Sequence, residues 1–335
     1  MNFAIVGCGL IGQKRLRALQ ALDEEHILLI AADPVLERAN RIAAQYPDAE
    51  STSDWRAAVV HPKVDIVIVS TTNDWLAPIT IAAIRNNKHV LVEKPAARNP
   101  KELESVIEAA EQNSVCVRVG LNHRYHPAFQ KARQIVDSGQ LGMLMFVRGR
   151  YGHGGRSGYD KEWRAKPEIA GGGELLDQGI HLIDLSRWFL GDFVQVSGYA
   201  ATYYWNMRVE DNGFLMLRNA QEQLAWLHVS CTEWKNLFSF EIYGKYGKLQ
   251  IDGLGGSYGT ERLAYYKMLP QMGPPDTTIW EYPGDDKSWQ IELNSFLRSI
   301  DEKQRSSHNL QDAKAALEIV HQIYASQGVR KAKGS

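Results

Sequence analysis

Phe3-Ala-Ile-Val6 runs directly into Gly7-Cys-Gly-Leu-Ile-Gly12, and a helical pattern with Leu16, Leu19 and Leu22 on one face follows at once. Strand, glycine turn and helix in that order constrain the fold more than any other stretch. Glycine lets the backbone turn sharply and lets a pyrophosphate come close, and the open N–H groups at the helix start attract an anion. A second apolar strand, Ile27 to Ala32, ends at Asp33, 21 residues after Gly12. An acidic side chain at that spacing suits the hydroxyls of an adenosine ribose. Gly7, Gly9, Leu10, Ile11, Gly12 and Asp33 are therefore candidate cofactor-binding residues. The Asp33 carboxylate would repel a 2′-phosphate, so NAD is expected over NADP. Arg38, on the next helix, is a further candidate contact, and Pro34 is expected at the first position of that helix.

The alternation of strand and helix continues. Val64 to Ser70 is the near-continuous apolar run of a doubly covered parallel strand. Ser70, Thr71, Thr72 and Asn73 at its end suit the nicotinamide-ribose side of a groove or the cap of the following helix, with Pro78 near the helix start. Val90-Leu-Val92 stops abruptly at Glu93-Lys94-Pro95. Pro95 cannot continue a central strand. In a parallel α/β sheet ligands bind beyond the carboxyl ends of the strands, so a rigid strand delivers Lys94 to that edge. A helix over 101–113 and a strand over 115–119 complete a doubly wound parallel domain over 1–121.

After Gly120 the pattern changes. A helix to Asp137 is stopped by Ser138-Gly139. Strand-like runs follow at 143–151, 194–204, 213–218, 224–233, 238–242 and 248–251. They predict an α+β domain over 122–329 with a large, mostly antiparallel sheet. A late amphipathic helix over 312–326 is expected to pack back on the first domain, and 330–335 to form a frayed basic tail. One buried helix, over 174–190, carries a second chemical signal, Gly171-Gly-Gly-Glu-Leu-Leu-Asp-Gln-Gly-Ile-His-Leu-Ile-Asp184. Asp177 and His181 are four apart and share a helix face, with Asp184 three further on to orient the imidazole. Aspartate beside histidine raises its pKa and sets its tautomer, a pair able to move a proton at neutral pH. An Asp-His-Asp metal site is the competing reading; hydride chemistry needs no metal, so none is expected.

The 335 residues, 44% apolar and 23% charged, fit a two-domain globular protein. A net charge of −1 provides no field for nucleic acid or an anionic membrane. No apolar run is long enough to span a bilayer, and no charged leader precedes an apolar stretch. Three scattered cysteines without a C-x-x-C pair fit a reduced, cytoplasmic setting.

Taken together, GCGLIG at the N-terminus, EKP at 93–95 and GGGELLDQGIHLID at 171–184 resemble the Gfo/Idh/MocA oxidoreductases, in the family's order and over nearly the whole chain. The resemblance implies an NAD(H)-dependent enzyme that oxidises a carbinol of a sugar, polyol or sugar derivative. It places Lys94, Asp177 and His181 at the reacting carbon as catalytic residues. His181 would move the hydroxyl proton while Lys94 hydrogen-bonds the same oxygen. Glu93 would position Lys94 or touch the cofactor, and Asn122, Arg124 and Tyr125 would face the substrate or the nicotinamide. An open second-domain sheet would serve a homodimer or homotetramer. The loop 150–166 is rich in basic side chains and is expected to clamp an anionic substrate, such as a nucleotide sugar or sugar acid, through Arg156, Arg164 or Lys166. Trp163 and Arg164 are alternative cofactor contacts. The rival readings are an NADP-linked sugar reductase, an aldose–aldose oxidoreductase that retains its cofactor, and a non-catalytic dinucleotide-binding regulator.

Overall fold

Short apolar runs without polar interruptions become the inner strands of a parallel sheet. The computed structural model describes residues 1–22, 25–302 and 307–327. These divide into two units. Unit 1 holds Met1–Leu121, Glu168–Gly171 and Trp289–Leu317. Its six strands are β1 (Asn2–Val6), β2 (Ile27–Ala32), β3 (Glu50–Thr52), β4 (Ile66–Val69), β5 (His89–Glu93) and β6 (Val117–Gly120). They are parallel, in the order β3-β2-β1-β4-β5-β6. Every residue of β4 is buried, because helices cover both faces of the sheet. The strand order reverses between β1 and β4, and that reversal opens a crevice at their carboxyl ends.

The helix Asn73–Arg85 starts earlier than the sequence suggests, so Pro78 lies inside it. The helix Leu36–Ala43 has Val35 as its cap, so Pro34 precedes it. The helix Ser288–Asp301 has no counterpart in the sequence reading. It supplies Leu293, Phe296 and Leu297 to a core shared with Phe3, Leu16 and Leu19. An unbroken second domain over 122–329 therefore differs from the observed division: apolar side chains far along the chain complete the first core. The last helix, Ser307–Ser326, begins in unit 1 and ends in unit 2. The expected tail over 330–335 lies outside the described residues.

Unit 2 is built on β7 (Leu144–Gly152), β8 (Phe193–Ala201), β9 (Asn212–Asn219), β10 (Leu224–Ser230), β11 (Leu237–Gly244), β12 (Gly247–Asp252), β13 (Glu261–Lys267) and β14 (Asp276–Tyr282). Their order is β14-β13-β12-β11-β7-β10-β9-β8. All neighbours are antiparallel except β7 and β10. The helix Gly179–Leu190 packs on β7 and β10, and Val147, Leu217, Leu227 and Phe240 are buried. Phe214, Met216 and Trp226 alternate with such positions and are exposed, as expected of a sheet covered on one face. β13 and β14 were not legible. β14 is an edge strand with mostly exposed residues, so burial imposes no alternation on it.

Candidate active site

In unit 1 the end of β1 and the start of the next helix form a close-fitting cradle. Gly7 has φ +94°, and a Cβ on it would stand 2.4 Å from the Ser70 carbonyl oxygen. A Cβ on Gly12 would lie 2.1 Å from the Gly7 oxygen. No side chain fits either position, which is why the motif needs glycine there. The helix Leu10–Gln20 is capped by Gly9 without a side-chain hydrogen bond. Its first-turn amides are therefore available to a phosphate. Leu10 is exposed and Ile11 half-buried. Asp33 ends β2, nearly buried, and accepts from the Cys8 amide at 2.8 Å and the Val35 amide at 2.9 Å. Each carboxylate oxygen keeps a second lone pair for a ribose hydroxyl. The cradle and Asp33 together fit a dinucleotide.

The polar residues after β4 divide their roles. Ser70 Oγ donates to the Gly7 carbonyl at 2.7 Å and braces the cradle. Thr71 is half-buried, and Thr72 Oγ1 donates to Asp74 at 2.6 Å. Asn73 Nδ2 donates to the Ala170 carbonyl at 2.8 Å. Arg38 is exposed on the outer helix.

Glu93 ends β5, and the turn that follows is closed by the Ala96 amide donating to the Glu93 carbonyl at 2.9 Å. Lys94 sits half-buried in this turn. The Glu93 carboxylate receives Arg15 Nε at 2.6 Å. Arg15 also donates from Nη1 to Glu292 at 2.7 Å. Arg15 and Glu292 are both 0% exposed. Burial pushes the Glu292 carboxyl up to about 7; Arg15 opposes this, and neighbouring Glu93 adds to it. Arg15 lies on the helix that follows the glycine cradle. Neither it nor Glu292 carried a local sequence signal, because their partners are distant along the chain.

In unit 2 the expected single helix is two: Glu174–Asp177 and Gly179–Leu190, broken at Gln178. Asp177 and His181 therefore stand on either side of a break and share no continuous helix face. The start of the first piece is held by Glu210, whose carboxylate accepts the Gly173 and Leu175 amides, each at 3.0 Å. Tyr324 donates to the same oxygen at 2.6 Å. Burial pushes Glu210 up to about 7, against the pull of these hydrogen bonds.

The buried His181 ring stacks on His123, with centroids 3.8 Å apart. Asp184 is buried. Its carboxylate takes both Nε and Nη2 of Arg124, at 2.8 and 2.5 Å. The reason is that a buried carboxylate demands a charged partner, and a guanidinium offers two parallel donors. Arg124 is thus paired with Asp184. Asn122 is buried and donates to Ser288 Oγ at 2.8 Å. Tyr125 is half-buried beside them.

The loop 150–166 is folded onto acids of its own unit. Arg156 pairs with Glu162 at 2.7 Å and Arg164 with Asp177 at 3.4 Å. Trp163 lies half-buried under the Arg164 guanidinium, 4.5 Å from its ring centre. Sequence reasoning missed Glu174, which accepts from Tyr159 at 2.8 Å and faces His153 Nε2 at 3.4 Å. Burial lowers the His153 pKa, and Glu174 more than reverses this, so the imidazole is held above its ordinary value. The signal was present in the glutamate that directly follows three glycines. Among the described residues, no group of three His, Cys, Asp or Glu side chains is placed to hold a metal ion.

Unit 1, with its strand order and glycine cradle, is a Rossmann dinucleotide-binding domain. Residues 1–121 match the oxidoreductase family with an NAD-binding Rossmann fold, and residues 129–250 match the GFO/IDH/MocA C-terminal domain. The chain belongs to the Gfo/Idh/MocA oxidoreductase family. It is 29% identical over 212 residues to levoglucosan dehydrogenase of Pseudarthrobacter phenanthrenivorans, covering 61% of this chain and 54% of that protein. It is 29% identical over 194 residues to inositol 2-dehydrogenase of Salmonella typhimurium, covering 57% of this chain and 55% of that protein. The chain thus spans about half the length of the curated relatives it matches. A structure of levoglucosan dehydrogenase with NADH and levoglucosan superposes with a TM-score of 0.86 at 23% identity, over 98% of this chain and 97% of that one. An NAD-binding oxidoreductase from Klebsiella pneumoniae gives 0.85 at 22% identity, over 99% and 97%. At such identities these likenesses concern the fold.

Proposed function

We propose that this protein is an NAD-dependent dehydrogenase acting on a secondary hydroxyl of a neutral sugar or polyol. The observation that carries the reading is the Gly7–Gly12 cradle with Asp33 behind it, in a chain that also keeps Lys94, Asp177 and His181. Gly7, Gly9 and Gly12 hold the pyrophosphate, Leu10 and Ile11 supply first-turn amides, and Asp33 holds the adenosine ribose. Thr71, Thr72 and Asn73 lie at the nicotinamide side. Bound NAD supplies the hydride acceptor. His181 takes the hydroxyl proton, Lys94 donates a hydrogen bond to the same oxygen as it gains charge, and Asp177 supports the positive charge that develops on the imidazole. Glu93, tied to Arg15, positions Lys94 and is not itself a cofactor ligand. Pairing of Arg156 and Arg164 with carboxylates favours a neutral substrate over a nucleotide sugar or sugar acid. The outer face of the second sheet, with Phe214, Met216 and Trp226 exposed, supports self-association through that face.

The test is a screen of neutral sugars and polyols with NAD⁺, read as NADH absorbance. Turnover of at least one is expected. Tight NADH binding with no turnover across the screen would show a non-catalytic dinucleotide-binding protein instead.

A further inference from the structure

We propose that unit 2 carries a preformed platform for a second, neutral sugar ring, built from Tyr204, Trp205 and Trp234. The platform stands beside the Glu174–Asp177 segment. The inference rests on the sugar-dehydrogenase reading and narrows it: the substrate is a glycoside with two rings, not a free monosaccharide.

Tyr203, Tyr204 and Trp234 are 67, 60 and 65% exposed, an unusual display of large rings in two neighbouring loops. Tyr204 meets Trp234 edge to face at 4.7 Å and Trp205 edge to face at 5.1 Å. The backbone of the first loop is pinned from within. The Asp211 carboxylate, fully buried, accepts backbone amides from three successive residues: Tyr203 at 2.9 Å, Tyr204 at 2.8 Å and Trp205 at 3.1 Å. Trp205 Nε1 also donates to the Cys231 carbonyl at 2.9 Å. Trp234 has φ +58°, a left-handed conformation that is strained for a bulky side chain and persists only where its surroundings impose it. A buried carboxylate and a strained backbone thus hold exposed aromatic rings in one arrangement. Such preorganisation is a property of binding sites.

The platform adjoins the candidate chemistry. The Trp205 ring lies 5.6 Å from that of Tyr159. Tyr159 donates to Glu174, three residues before Asp177. Aromatic faces take either the C–H face of a sugar or the face of a nucleobase. A nucleotide sugar also brings a diphosphate, which needs uncompensated cations. Arg156 and Arg164 already face Glu162 and Asp177, and Glu174 adds a further negative charge. The two loops themselves carry Arg208 and Lys235 against Glu210, Asp211 and Glu233, so they hold no net positive charge, which favours a neutral ring.

The experiment is calorimetric titration of the full chain loaded with NADH. The probes are matched pairs, methyl β-D-glucopyranoside against cellobiose and methyl α-D-glucopyranoside against maltose, together with UDP-glucose. In at least one pair the disaccharide is expected to bind about three- to tenfold tighter than its one-ring partner. Trp234→Ala should abolish that advantage while leaving one-ring binding unchanged, and Trp234→Phe should restore most of it. Equal affinities within both pairs, an advantage that survives Trp234→Ala, or tighter binding of UDP-glucose than of either disaccharide would overturn the proposal. A Trp234→Ala protein that changes its molar mass in solution would show that the rings meet another copy, and would overturn it too. Binding needs no turnover. A protein that binds disaccharides through Trp234 but oxidises none keeps the platform and loses the dehydrogenase reading; one that oxidises methyl glycosides with no dependence on Trp234 does the reverse.

Discussion

Arg15 and Glu93 meet inside unit 1 at 2.6 Å, joining the helix behind the glycine cradle to the strand end that carries Lys94. Glu292 holds the other side of the same guanidinium at 2.7 Å. The cradle and the lysine turn, read separately along the chain, are thus braced by one buried cation.

Removing that cation leaves two buried carboxylates facing each other. Arg15→Met is expected to destabilise the protein by roughly 3–5 kcal/mol, since an uncompensated buried charge is costly. Urea unfolding monitored by circular dichroism measures this. A loss below about 1 kcal/mol would mean the network is not needed for the fold.

Glu292 gives the stability a pH signature. Its folded-state pKa lies above the unfolded value, so the folded protein holds its proton more tightly. The resulting stabilisation is present at acid pH and is lost as pH rises through about 7. Glu292→Gln removes this titration. Between about pH 5 and about pH 8 the wild type should lose on the order of 3 kcal/mol relative to the variant. Parallel pH curves for the two proteins would contradict the assignment.

For the chemistry, Lys94→Met and His181→Gln should each lower kcat by on the order of 10²-fold or more. NADH affinity of His181→Gln, measured by fluorescence, should stay within about threefold, because its role is proton transfer. A normal kcat in both variants would place the site elsewhere.

Asp33 accepts two backbone amides and is the proposed contact to the adenosine ribose. Asp33→Ser should lower kcat/KM with NAD⁺ by about tenfold or more and narrow the gap to NADP⁺. It should also cost about 1–2 kcal/mol of stability through the lost Cys8 and Val35 hydrogen bonds. A wild type that prefers NADP⁺ would refute the reading of this carboxylate.

Trp226 lies opposite Met216 on the exposed face of the second sheet. Trp226→Lys should reduce a dimer or tetramer to smaller species, read by light scattering coupled to gel filtration. A wild type that runs as a monomer would remove self-association through this face.

Several elements of this architecture were legible because their signals are local. β2 spans Ile27–Ala32 as read, since a doubly buried strand is a continuous apolar run ended by a charge. The glycine cradle is dictated by sterics within a few residues. Other features depended on partners remote in sequence. Helix spacing relates Asp184 only to its neighbour His181, and its pairing with Arg124, 60 positions earlier, is visible only in the fold. Arg164 reads as a candidate clamp for an anionic substrate, and the fold sets Asp177 against it. β14 lacks the burial that writes alternation into a sequence.

The amino-acid sequence alone therefore determined the dinucleotide fold and marked Asp33, Lys94, Asp177 and His181 as chemical candidates. Each follows from periodicity, glycine sterics or a short motif. Only the tertiary structure decided which charges are compensated. It committed Glu93 to Arg15, Asp184 to Arg124 and the loop arginines to carboxylates, and it assembled Tyr204, Trp205 and Trp234 from two loops into one surface. Ion pairs and ring contacts between residues far apart in the chain are set by proximity in space, which a local sequence pattern does not record.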